Sequence, residues 1–452
     1  MNCKIRKSKY ILMFGFVILF IMSSVVMAKG KKGDKNKMAK TAAGQVKTAA
    51  MNINNINALQ NNVGFSDYNP NSNLEGTEFP KGSQKNAVFL GGFLWGGFIK
   101  GDPQVRIGGS AYRSGLEAGP LNADGTPTDP SDERWSIYRV RPDVYPGGPS
   151  IDLSGDAASG NYWNPANQLT ADQVKLQYEH DWTNWPAHGN PNAPDLGAPF
   201  NDINNDGKYE PDIDIPGVPG ADQTIFYVAN DMDTAQTTFL YGTQPLDLEL
   251  HVTMWAYAQT GALGNMYFKK WQLINKGKNT VDSMIVSYWT DVDLGFATDD
   301  LVGCDTTLSL QYCYNGQPTD QVYAPLPPPA VGFDFFQGPL LKGVAGQDLN
   351  KNGVDDAQDY AIFDGKVKGP GYINLPMTAA YYFINTSDPN YGDPNQGDPM
   401  GATAFYHFFN GQYGQSGSPF VDNNGNETKF AFPGDPVKRT GWLDGVAWPP
   451  EY

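Results

Sequence analysis

The amino-acid sequence reads as a mainly β protein: antiparallel, β-sandwich-like domains with long loops and one short helix. Three observations predict that class. From Leu246 to Ala256, apolar residues fall at every second position with mostly polar residues between, the period of a half-buried strand. Further runs of similar length are separated by Gly-, Asn- and Pro-rich turns. Composition agrees, because 51 Gly and 34 Pro beside 13% aromatic residues favour many short strands over helices. At 452 residues the chain can bury a large core and leaves room for two or three domains.

Lys4, Arg6, Lys7 and Lys9 precede an apolar run from Tyr10 to Met27, and Val26-Met-Ala28 is a small-residue cleavage site. This predicts a signal peptide over 1–28, with an uncleaved anchor as the alternative. Cleavage removes four positive charges and no acid, moving the net charge from −16 to −20. Such a chain repels nucleic acid and anionic lipid. No other stretch is apolar enough to span a membrane. Residues 29–85 are expected to form a flexible basic leader, with Lys29, Lys31, Lys32, Lys35 and Lys37 as its basic patch and a weak helix within 41–58. A β-rich region over 86–230 and a sandwich region over 231–452 follow.

Val88 to Ile99, a turn at 100–103 and Gln104 to Ile107 predict a hairpin. Phe93, Trp95 and Phe98 read as core packing, with a sugar platform as the other use of such a strip. Thr170 and Gln173 form a capping box, which predicts a helix from Ala171 to about His180.

Two loops carry the pattern of calcium ligation. In the first, Asp202, Asn204 and Asp206 alternate, Gly207 turns the chain, Lys208 offers its carbonyl, and Glu210, Asp212 or Asp214 can close the shell. In the second, Asp348, Asn350 and Asn352 alternate, Gly353 follows, Val354 offers its carbonyl, and Asp356 and Asp359 return. Hard cations take six to eight oxygens, and such spacing wraps a loop around one ion. Both loops resemble those of thrombospondin-type-3 and dockerin-like repeats over about a dozen residues. An Asx-rich turn without metal is the plainer reading. Asp422 to Glu427 is a weaker third case.

After the 246–256 strand, Met266 to Ile274 and Val281 to Trp289 read as two strands of a hairpin around the turn 275–279. The return strand leads to Asp291, Asp293, Asp299, Asp300 and Asp305, predicted to share one acidic rim. Cys304 and Cys313 are the two cysteines left after export, and an exported pair is expected to form a disulfide. Pro325 to Ala330 is polyproline-like. Strands are expected at Met377–Ile384 and Ala402–Phe409.

Nothing points to catalysis. His180, His188, His251 and His407 lack metalloprotease spacing, and no nucleophile elbow or phosphate loop occurs. Glu179, His180 and Asp181 are neighbours on a helix and should point apart. A carboxylate pair for glycoside hydrolysis needs no sequence proximity.

Pro219-Gly-Ala-Asp-Gln-Thr224, Trp255-Ala-Tyr-Ala-Gln-Thr-Gly-Ala-Leu-Gly264, Asp291-Val-Asp-Leu-Gly295 with Asp299-Asp300, and Gly303-Cys-Asp-Thr-Thr-Leu-Ser-Leu310 together resemble large secreted bacterial proteins of the type IX secretion class. The resemblance covers about 88–450. It implies export to the surface or medium and a multidomain β-rich architecture, and brings no activity with it. Residues up to 452 show none of that class's terminal sorting domain, so an N-terminal part of a longer protein is expected. The expected function is a calcium-stabilised structural or adhesive protein, secreted or on the cell surface, whose partners are cell-surface glycans or other extracellular proteins. The alternative is a carbohydrate-active module.

Overall fold

The computed structural model describes residues 46–363 and 365–445. The expected signal peptide, its expected cleavage site and the basic patch lie outside the described residues. Seven strands of the first sheet come early in the chain: β1 (Thr48–Met51), β2 (Asn57–Asn61), β3 (Phe65–Ser66), β4 (Thr77–Glu78), β5 (Asn86–Val88), β6 (Leu90–Ile99) and β7 (Val105–Gly109). The second sheet follows with β8 (Glu117–Ala118), β9 (Tyr138–Val140), β10 (Gln223–Asn230), β11 (Leu248–Ala256) and β12 (Phe268–Asn275). The chain then returns to the first sheet as its eighth strand, β13 (Val281–Asp291), which pairs antiparallel with β6.

The alternation along β11 does what its period dictates. Leu248, Leu250, Val252, Met254 and Ala256 join Ile225 and Tyr227 of β10 against Phe93 and Trp95 of β6 in the main core. Trp95 has no exposed surface, and Phe93 stacks on Trp271 at 4.8 Å. The strip Phe93, Trp95 and Phe98 is thus packing: the first two are buried, and Phe98 meets the ring of Tyr406. The hairpin of β6 and β7 has the expected register.

Three expectations about the two main sheets need correction. The segment expected to be a leader instead forms β1 to β4 and is largely buried from Ala50 to Asn69, because its asparagines are buried and bonded. Asn57 donates to Glu78 and accepts from Trp163 Nε1, and Asn62 donates to the carbonyl of Trp135. The hairpin expected of Met266–Ile274 and Val281–Trp289 does not form either. β12 pairs only with β11, and the 276–280 turn carries the chain across to the other sheet. Alternation sets which face is buried, not which strand lies alongside. Finally, the boundary placed at 230 falls between β10 and β11, which pair along eight residues of one sheet.

Four α-helices occur among the described residues, not one: α1 (Ser154–Trp163), α2 (Ala171–Thr183), α3 (Thr234–Tyr241) and α4 (Pro399–Phe409). α2 starts at the expected capping box, with Gln173 N donating to Thr170 Oγ1 at 3.2 Å and Thr170 N to Gln173 Oε1 at 2.9 Å. α4 replaces an expected strand. Asp398 caps it through Met400 N and Pro399 opens it, while Ala402, Phe405 and Phe408 bury one face. Residues 377–384 make single bridges rather than a strand, and Tyr381 and Phe383 stack on Phe408 instead.

A third sheet joins β14 (Asp300–Asp305), β15 (Leu310–Asn315) and β16 (Ala330–Asp334). The polyproline stretch before β16 is mostly exposed. Beyond it, 335–375 is an excursion held by two short strand pairs, Leu340–Lys342 with Tyr372–Asn374 and Ala361–Phe363 with Lys366–Lys368.

Candidate metal loops and the acidic rim

The two Asx loops fold alike, 146 positions apart. Asp202 accepts from the N–H groups of Asp206 and Gly207, at 3.3 and 2.8 Å. Asp348 does the same for Asn352 and Gly353, both at 3.0 Å. The fourth residue of each loop is left-handed, Asn205 at φ 59° and Lys351 at φ 57°, and each sixth-place glycine has positive φ. One buried acid then returns to hold the second residue. Asp214 accepts from Ile203 N at 2.9 Å, and Asp356 from Leu349 N at 3.0 Å. Both are at most 1% exposed.

The loops differ in what fills the middle. In the second, Asn350 and Asn352 both point their amides at one oxygen of Asp359, at 2.7 and 2.6 Å. These bonds hold the Asp359 carboxyl below the usual carboxylate range. In the first, Asn204 reaches Glu210 at 2.8 Å, and Asp206 accepts from the N–H of Lys208. Asp212 makes no side-chain contact comparable to these, and the Val354 N–H is taken by Asn352. Among the described residues no three His, Cys, Asp or Glu side chains converge as a metal shell. Oxygen donors in either loop would therefore have to include the asparagines and backbone carbonyls, which calcium accepts. In the third case, Asp422 only caps its own turn through Asn424 and Asn426.

The rim gathers part of what the sequence suggests. Burial, then the charges of Asp291, Glu75 and Asp300, pushes Asp293 up to about 7. Burial also raises Asp300 to about 6, against one bond from Leu294 N. Lost solvation and Asp393 raise Asp291. Asp299 adjoins them, and Asp299 Oδ1 and Asp300 Oδ1 are buried without a hydrogen-bond partner. Asp305 does not belong: it sits at the opposite end of β14, where Thr307 and Leu308 bond its carboxylate and hold it low. Glu75 and Asp393 join the rim from distant sequence, a proximity no local pattern announces.

Cys304 and Cys313 are free, buried thiols rather than a disulfide. The register sets Cys304 opposite Gln311 and Cys313 opposite Val302, so the two are offset along neighbouring strands. Cys304 Sγ donates to the carbonyl of Ala431, and burial pushes its thiol up to about 12. His180 and Asp181 do meet, at 3.2 Å, where neighbours on a helix were expected to diverge. The other Asp181 oxygen accepts from Arg139 N, so the pair ties α2 to β9.

Sequence reasoning missed one cluster entirely. Asp67, Thr77, Tyr267, Lys269, Tyr288 and Ser66 meet between the two main sheets, drawn from positions up to 222 residues apart. No helix among the described residues is long and apolar enough to cross a membrane. Comparison with known proteins finds no matching family model, no matching curated protein and no matching solved structure.

Proposed function

We propose that this is an exported β-rich protein of structural or adhesive type, secreted or held at the cell surface, in which calcium stabilises the two Asx loops. The reading rests on one observation: the same loop is built twice, with matching first-place aspartates, left-handed fourth residues and buried returning acids. Hard cations take six to eight oxygens, and the alternating side chains of each loop supply several of them at that spacing. The resemblance to type IX secreted proteins supports export, and partners would be surface glycans or other extracellular proteins.

Melting curves with millimolar Ca²⁺ and with chelator test it. At about 100 Kd the gain is ~2.7 kcal/mol. The gain should shrink in Asp348→Ala combined with Asp359→Ala, and again when Asp202→Ala is added. Identical curves in Ca²⁺ and chelator would remove calcium from the proposal.

A carbohydrate-binding role is favoured by a separate feature. Trp255 stacks on Phe268 at 5.4 Å, Tyr257 abuts the same ring, and Phe336 beside it is 75% exposed. Aromatic faces of this kind suit sugar rings. Polysaccharide retention that falls in Phe336→Ala and Trp255→Ala would support it.

A further inference from the structure

The buried cluster between the sheets sets a primary amine against a carboxyl group. Lys269 Nζ lies 3.1 Å from Asp67 Oδ2, and the two side chains are 10% and 2% exposed. Asp67 sits between β3 and β4 at φ 64°, a left-handed conformation that Asp adopts more readily than most residues other than glycine, and its carboxyl is buried. Its other oxygen, Oδ1, accepts two short bonds, from Tyr267 and Thr77 hydroxyls, both at 2.6 Å. Tyr288 bridges the reacting groups. Its hydroxyl accepts from Lys269 Nζ at 2.9 Å and donates to Asp67 Oδ2 at 3.3 Å, with Ser66 Oγ 3.0 Å away.

We propose that Lys269 and Asp67 become joined by a side-chain amide bond. A proton first passes from the ammonium through the Tyr288 hydroxyl to Oδ2; the neutral Nζ then attacks Asp67 Cγ, the Nζ–Cγ bond forms, the Cγ–Oδ2 bond breaks, and Oδ2 departs as water. An ammonium and a carboxylate give one secondary amide and one water, with no oxidant or further reactant. Of the three ammonium protons, one stays on the amide and two leave with the oxygen.

Each neighbour has a part in that step. Tyr267 and Thr77 donate to the oxygen that gains charge in the tetrahedral intermediate, as an oxyanion site does. Tyr288 touches donor and acceptor together and can pass a proton from Nζ to Oδ2. Fixed proximity replaces a bimolecular encounter. The ion pair is also an expensive thing to bury, because two charges leave water, and the neutral amide removes both. Burial disfavours both charges, but the mutual attraction and hydrogen bonds of the pair outweigh it and keep Lys269 raised and Asp67 lowered, so a proton must leave Nζ before it can attack.

The intact mass of the mature protein decides the matter, with the N-terminus fixed by sequencing. The bond predicts a mass about 18 Da, one water, below that of the sequence, and a branched peptide linking residues 67 and 269. Lys269→Arg keeps the charge, lacks the amine nucleophile and should show full mass. Tyr288→Phe should accumulate the full-mass form and lose water slowly, while immediate full conversion would overturn the relay. Wild-type protein at full mass, with residues 67 and 269 in separate peptides, overturns the proposal without recourse to any variant.

Discussion

The sandwich and the 335–375 excursion are held together by opposite means. Across the sandwich, side chains such as Trp95, Ile225, Leu250 and Met254 are at most 1% exposed and fill the space between two sheets. In the excursion, Phe336, Tyr360, Ile362 and Val367 are 75, 58, 49 and 74% exposed, while Ala361, Ile373 and the acid Asp356 are the buried residues among those described. Apolar burial stabilises the first region. Hydrogen bonds to a few acids shape the second, and such bonds contribute modestly because water competes for them. The difference teaches where a bound ion matters: a cation adds little to a packed sandwich and much to a loop without a core.

The largest effect should come from breaking the sandwich side. Trp95→Ala leaves a cavity where both sheets meet and should lose ~3–5 kcal/mol in denaturant unfolding. The excursion side breaks differently. Asp356→Ala strands the N–H groups of Leu349 and Val344, worth ~1–3 kcal/mol. That loss should be local, seen as faster proteolysis within 335–375 while the sandwich melts at an unchanged temperature. A shared loss of melting temperature would show the two regions to be one cooperative unit.

Smaller changes sharpen the contrast. Thr170→Ala removes the cap of α2 and should cost about 1 kcal/mol in global unfolding, because α2 packs on the sandwich. The rim acids give a change of slope. Asp293 and Asp300 are raised in the folded state, to about 7 and about 6, so the folded protein holds protons that the unfolded chain has released. Stability therefore falls as pH rises from about 4 through 7. Asp293→Asn with Asp300→Asn should match wild type near pH 4 and lose less stability above it, measured by melting at each pH. A steeper decline in the variant would contradict the raised values.

Some of this was legible in the sequence because the signal is local. The capping box of α2, the alternation of β11 and the β6–β7 hairpin each depend on residues within twenty positions of one another. The N-terminal strands escaped because Asn52, Asn57 and Asn62 look like solvated polar residues, and only their distant partners make them core. α4 escaped because its aromatics suggest a strand, although Asp398 and Pro399 together carry a start signal. Among the sites, the Asx loops are contiguous and readable. The rim's Glu75 and Asp393, and the Asp67–Lys269 cluster, exist only through tertiary pairing.

The pairing of β6 with β13 has a consequence for how the chain is made. Leu90 pairs with Asp291 and Ile99 with Val281, so the glycine-rich strand Leu90–Ile99 waits for a partner about 180–200 residues downstream. At ~5–20 residues per second of synthesis, that wait lasts on the order of 10–40 s. For that interval one edge of an apolar strand stands open to any other strand it meets. Under the proposed export, the chain gains from being kept unfolded until all of residues 90–291 are across, since partial delivery would present the edge without its cover.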